Sequence, residues 1–268
     1  MHMLTTRRSV IACLIIAVLA VAALLGVDRF GRESRVLGLY GTIQEPQGIR
    51  KIVDQPVDAY RIWKEAGFRG RTLVFVSGNW ETFDPGALVP PRMFRAYPLQ
   101  LFNTAKFFED EQLNGTTFLY VASLSKVVRR IVAVLPEAEV ARMKQMVGKV
   151  KDSRANDKGV YLSRQGFPRW FTTAANVASV KEPALLFVGA SYFKSVGPEE
   201  LYRQLRSSGL RSDCVILCKE TGKAGVTPEE VAKLVQFAQL IGISTGMKSS
   251  GDANGSLTKT PQRTRPVS

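Results

Sequence analysis

Histidine is nearly missing from this chain of 268 residues: His2 is the only one, and it precedes every segment able to fold. That absence excludes a Ser-His-Asp or Cys-His arrangement, an HExxH zinc site and a histidine general base from any domain downstream. Cysteine is also scarce. Cys13, Cys214 and Cys218 are too few for a Cys-rich zinc or iron–sulfur site, so neither a metal nor a cofactor is expected. Cys214 and Cys218 share the stretch Asp213–Cys218, which reads as a buried strand. Four residues along a strand separate them by roughly 13 Å, beyond disulfide reach, and two buried free thiols are expected.

Sequence motifs for nucleotide chemistry are absent too. There is no GxGxxG after a strand and no GxxxxGK[ST]; Gly222-Lys223 is followed by Ala224 without a glycine-rich lead. There is no GxSxG elbow and no internal repeat.

Long apolar runs are missing as well, with one exception. Val10 to Val27 carries no charge and follows Arg7 and Arg8. As a helix it would extend roughly 27 Å, near the thickness of a bilayer's hydrocarbon core. Ala20-Val21-Ala22 has the form of a signal-peptidase site, but cleavage there would leave Ala23, Leu24, Leu25 and Val27 on the mature end. The run reads better as an uncleaved anchor, and Cys13 as an apolar residue within it. The expected organisation is a basic head over 1–9, a transmembrane anchor over 10–27, a connector over 28–56 that can add an edge strand, an α/β domain over 57–243, and a disordered tail over 244–268. Arg29, Arg32 and Arg35 beyond the anchor point to a cytoplasmic domain by the positive-inside rule. The short basic head before an apolar run has the form of an export signal, which favours a single-pass cell-membrane protein with an exported domain.

The formal charge is +14, from 37 Lys and Arg against 23 Asp and Glu. The basic residues come singly or in pairs, as at Arg69/Arg71 and Arg129/Arg130, with no basic block or RNA-binding signature. Nucleic acid is therefore an unlikely partner. A basic solvated surface, or a face held against anionic lipid by the tether, fits better.

The soluble part reads as α/β, with a single mixed or mostly parallel sheet and helices on both faces, preceded by the one N-terminal transmembrane helix. Thr72–Val76, Thr117–Ala122, Ile131–Leu135, Ala184–Val188 and Asp213–Cys218 are compact apolar runs suited to strands buried on both faces. Helices are expected from Val57 to Ala66, after Asn103, after Pro136, after Pro198, and from Thr227-Pro-Glu-Glu230, a capping box with proline at its first turn. Lys149 to Gly159 reads as a surface loop, and Phe167–Phe171 as another short loop.

Candidate chemistry is thin. Ser123…Lys126 and Ser191…Lys194 match SxxK without the elements that usually accompany it, and Glu81 with Asp84 is a carboxylate pair in a loop. A ligand site is the stronger expectation. Asn79, Trp80 and Glu81 lie just beyond a strand; Arg92, Arg95, Arg164 and Arg169 can clamp an anion if they converge; Trp170 and Ser191 complete the set. The expected function is a membrane-tethered, non-catalytic binding or assembly module for a protein partner or small anionic ligand. The alternatives are a membrane-anchored enzyme using carboxylate or Ser/Lys chemistry, and a structural subunit of an envelope assembly. An enzyme requires Glu81, Arg92, Arg95 and Ser191 or Arg169 to meet in one pocket.

Overall fold

Strands β3 (Arg71–Val76), β8 (Ala184–Gly189) and β9 (Arg211–Cys218) are buried on both faces in all but the first residue of β3 and β9, and their buried side chains are apolar except for Thr72, Ser212 and Asp213. The computed structural model describes residues 41–43, 48–78, 109, 113–147, 149, 153–164, 167–221 and 225–243. The expected anchor and tail lie outside these residues. Among the described residues no helix is long and apolar enough to cross a membrane.

The described residues form one mixed sheet that also contains β1 (Gly41–Thr42), β2 (Ile49–Val53), β4 (Val128–Val134), β5 (Ser153–Asn156), β6 (Gly159–Arg164) and β7 (Phe167–Thr172). Its order is β1-β9-β8-β3-β4-β7-β6-β5, with β2 also on the outer side of β9. From β2 through β9, β8, β3 and β4 to β7 every pairing is parallel. β5 and β6 form an antiparallel wing at one edge, and β1 pairs antiparallel at the other. The expected connector thus supplies the β9-side edge of the sheet.

Alternate side chains of the central strands feed two separate cores. One face carries Leu73, Phe75, Leu185, Phe187 and Ile216 beneath helices α1 (Pro56–Glu65), α2 (Phe118–Leu124) and α3 (Glu137–Met146). The other carries Val74, Val76, Leu186, Val188 and Leu217 beneath α4 (Pro198–Ser207), α5 (Pro228–Leu240) and two short 3₁₀ helices, η1 (Ala174–Ser179) and η2 (Ala190–Lys194). The first core centres on aromatic rings. Phe75 and Phe187 stack with centroids 4.7 Å apart, and Trp63 of α1 meets Phe187 edge-on at 6.5 Å. Such pairs add about 0.5–1.5 kcal/mol beyond their buried area. Cys214 and Cys218 are buried free thiols, as their spacing predicts.

Local signals explain most elements. In α5, Thr227 accepts from the Glu230 amide and the Glu230 carboxylate accepts from the Thr227 amide, closing the expected box. Leu234, Phe237 and Ala238 form the buried face of that helix.

Three expectations need correction. Thr117–Ala122 is not a strand but the start of α2. The Asn114 side-chain oxygen accepts from the amides of Thr116 and Thr117, and Thr117 Oγ1 accepts from the Asn114 amide at 3.0 Å. That turn starts a helix, and a short apolar run cannot distinguish a buried helix from a buried strand. Lys149–Gly159 is not wholly a loop, since it contains β5. This edge strand has three exposed residues in four, so it carries no apolar alternation. Phe167–Phe171 is strand, not loop. Pro168 argues against a strand in the sequence, but β4 pairs with β7 only from Arg169 onward, so the missing N–H falls outside that ladder.

Phe187→Ala should destabilise the domain by about 3–5 kcal/mol, and Thr227→Ala by about 1 kcal/mol. Urea unfolding followed by tryptophan fluorescence measures both, and the larger loss should belong to Phe187.

Candidate functional site

In open parallel sheets, ligands bind beyond the carboxyl ends of the strands, where the chain's direction of travel across the sheet reverses. Here the chain builds β3, β4 and β7 outward to one side, then returns to place β8 and β9 on the other side of β3. The reversal point is therefore the pair of strand ends Ser77-Gly78 and Gly189-Ala190-Ser191.

These two ends touch. A Cβ on Gly78 would lie 2.2 Å from the Ser191 carbonyl oxygen, so only glycine permits this backbone approach. The Gly78 amide donates to Ser191 Oγ at 3.2 Å, and the Ser191 amide donates to Glu220 Oε2 at 2.8 Å. Glu220 is 1% exposed, adopts a left-handed backbone (φ 53°), and sets its carboxylate against the α-carbon of Gly189. Beneath them Ser77 is fully buried, and its hydroxyl has no hydrogen-bond partner among the described residues. The reversal point is thus a packed junction between strand ends.

Open space lies beside the junction. A cleft of about 680 Å³ sits past the ends of β4 and β7, between the first turns of α3 and α4. Leu135, Pro136 and Thr173 form its strand side, Tyr192 of η2 one wall, and Gly197 and Glu200 the start of α4. Lys144 and Lys158 flank the opposite end, where Lys144 Nζ donates to the Asp157 carbonyl at 2.9 Å. The Glu200 carboxylate accepts from both Arg203 and Gln204, and these contacts hold it below the usual carboxylate range. Tyr192 is 2% exposed, and burial, with the Glu200 charge nearby, pushes its phenol well above the ordinary value. The phenol therefore stays protonated at any physiological pH.

The residues proposed from the sequence are only partly placed. Asn79, Trp80, Glu81, Arg92 and Arg95 lie outside the described residues, as does the Arg164 side chain. Arg169 is 1% exposed within β7, on the α1–α3 face, with its guanidinium 5.9 Å from the Phe171 ring centroid. Ser191 lies at the junction, three strands from β7. Neither Arg169 nor Ser191 lines the cleft. Trp170 faces the other way from Arg169, leaning over Gly159, where a Cβ would meet its Cζ2 at 3.1 Å. It packs against the core beneath α4 and α5. Of the SxxK pair, Ser191 is buried with its hydroxyl accepting from Gly78, whereas Lys194 is exposed. Among the described residues no cluster of three His, Cys, Asp or Glu could hold a metal.

Sequence reasoning passed over Tyr192, Glu220 and Thr173. Each stands within four residues of a strand's carboxyl end, and that position was the available signal. The chain matches no protein-family model, and no significant similarity to a curated protein or to a solved structure is found.

Gly78→Ala should break the junction and lower stability by more than about 2 kcal/mol, because the obstructing atom belongs to the backbone. Ser77→Ala removes a hydroxyl without a partner and should be neutral or slightly stabilising. Denaturant midpoints of the two variants check this contrast.

Proposed function

We propose that this chain is a membrane-tethered binding module, without chemistry of its own, that holds a small anionic ligand at the carboxyl rim of its sheet. Residues 10–27 serve as the anchor, and the domain stands on the exported side. The observation that carries the reading is the rim cleft. Its volume suits a small molecule, it sits where parallel sheets place ligands, and two helix amino ends open onto it. The non-catalytic part of the reading is supported by the engagement of Ser191 in the junction and by the separation of Ser191 from Arg169. The anchor reading is supported by the length and purity of the apolar run.

Thermal unfolding of the full chain in detergent micelles, against a panel of anionic, neutral and cationic metabolites, tests the binding role. An anionic member present at about 100 times its Kd should raise Tm by roughly 5–10 °C. Ala175→Trp, at an exposed position on the cleft wall, should abolish that shift. A panel without any stabilising member sinks the reading. Alkaline extraction of membranes tests the anchor: the intact chain should stay in the pellet, and a soluble chain beginning beyond Ala22 contradicts it.

A further inference from the structure

We infer that the rim cleft is a site for a small organic carboxylate, recognised by the phenol O–H of Tyr192 together with the free first-turn amides of α3 and α4; this rests on the binding-module reading above. Tyr192 is almost wholly buried yet lines the cleft, and its phenol makes no hydrogen bond among the described residues. A hydroxyl at the wall of a cleft takes its partner from whatever enters, water or ligand. Burial keeps that phenol protonated, so it can present a donor to an incoming oxygen.

The two helix ends supply donors of the same kind. α3 begins after Pro136 and α4 after Gly197; neither residue offers a side-chain acceptor, and neither helix has a side-chain cap. Pro198 has no N–H and the Glu139 amide donates to the Pro136 carbonyl, so the amides left for an anion are those of Glu137 and Ala138 in α3 and of Glu199 and Glu200 in α4. These helix ends also carry the acidic side chains Glu137, Glu139, Glu199 and Glu200. Both ends border the cleft.

The charge balance selects the class of anion. Lys144 and Lys158 face Glu137, Asp157 and Glu200 in the lining, the Glu200 carboxylate is paired with Arg203 outside it, and among the described residues no arginine lines the cleft. A phosphate dianion is held best by arginine forks or by net positive charge. A single carboxylate needs only neutral N–H and O–H donors in a site of near-zero charge. The apolar wall formed by Leu135, Val140 and Val196 accommodates a hydrocarbon portion beside that head group.

The full chain in micelles, titrated by calorimetry with phenylacetate, phenylacetamide and inorganic phosphate, tests this. Phenylacetate should bind at least about tenfold more tightly than either of the others, and Tyr192→Phe should weaken it by about tenfold. If Tyr192→Phe does not fold, Ala175→Trp provides the check and should abolish phenylacetate binding. Phenylacetamide or phosphate binding as well as phenylacetate overturns the carboxylate assignment while leaving the binding module in place. Phenylacetate binding that is unchanged by Tyr192→Phe, or that survives Ala175→Trp, overturns it too. If none of the three probes binds saturably the carboxylate assignment is also lost, whereas the binding module falls only when the wider metabolite panel fails as well.

Discussion

Burial of β3, β8 and β9 on both faces is the constraint from which the architecture follows. A strand with no polar side is stable only if both sides are covered, and parallel crossovers supply that cover by placing a helix on one face or the other. The Phe75–Phe187 stack and the aromatic contacts of Trp63 and Phe118 hold one side. Aliphatic side chains under α4 and α5 hold the other. With the strands parallel, the carboxyl ends of six of them share one rim, together with the amino ends of α3 and α4. The candidate chemistry gathers there for the same reason.

The rim also shows how a small local choice redirects a site. At the reversal between β3 and β8 a crevice is the usual outcome. Gly78 instead lets the β3 end reach the Ser191 carbonyl, and Glu220 ties the next turn to it. That contact fills the crevice, and the open volume is displaced toward β4 and β7, where η2 turns Tyr192 to line it. The glycine, and not a charged or nucleophilic residue, decides where space remains.

Much of the α/β pattern was legible in the sequence, and the failures have a common cause. The runs at Thr72–Val76, Ala184–Val188 and Asp213–Cys218 are strands because they are almost wholly apolar; their one charged member, Asp213, is paired with Arg71 of β3. Thr117–Ala122 has the same composition but is a helix, because Asn114 arranges the preceding turn and Trp63 and Phe75 offer a surface shaped for one. β5 and β7 were hidden for opposite reasons. An exposed edge strand needs no apolar residues, and Pro168 is tolerated because its neighbour on one side begins one residue later. Register and edge position are properties of the assembled sheet. Of the candidate site only Arg169, Trp170 and Ser191 have described side chains: Ser191 follows a strand, Arg169 points into the core, and the additional residues Tyr192 and Glu220 carry no motif.

The sequence by itself determined the exclusion of histidine chemistry, the free thiols, the capping box of α5 and the alternation of buried strands with helices, since each depends on residue identity or on neighbours a few positions away. Only the tertiary structure decided the order of strands, the closure of the β3–β8 junction and the opening of the cleft between α3 and α4. Those features join residues more than a hundred positions apart, as Gly78 and Ser191 are. What brings such residues together is the packing of whole elements, to which no local pattern gives access.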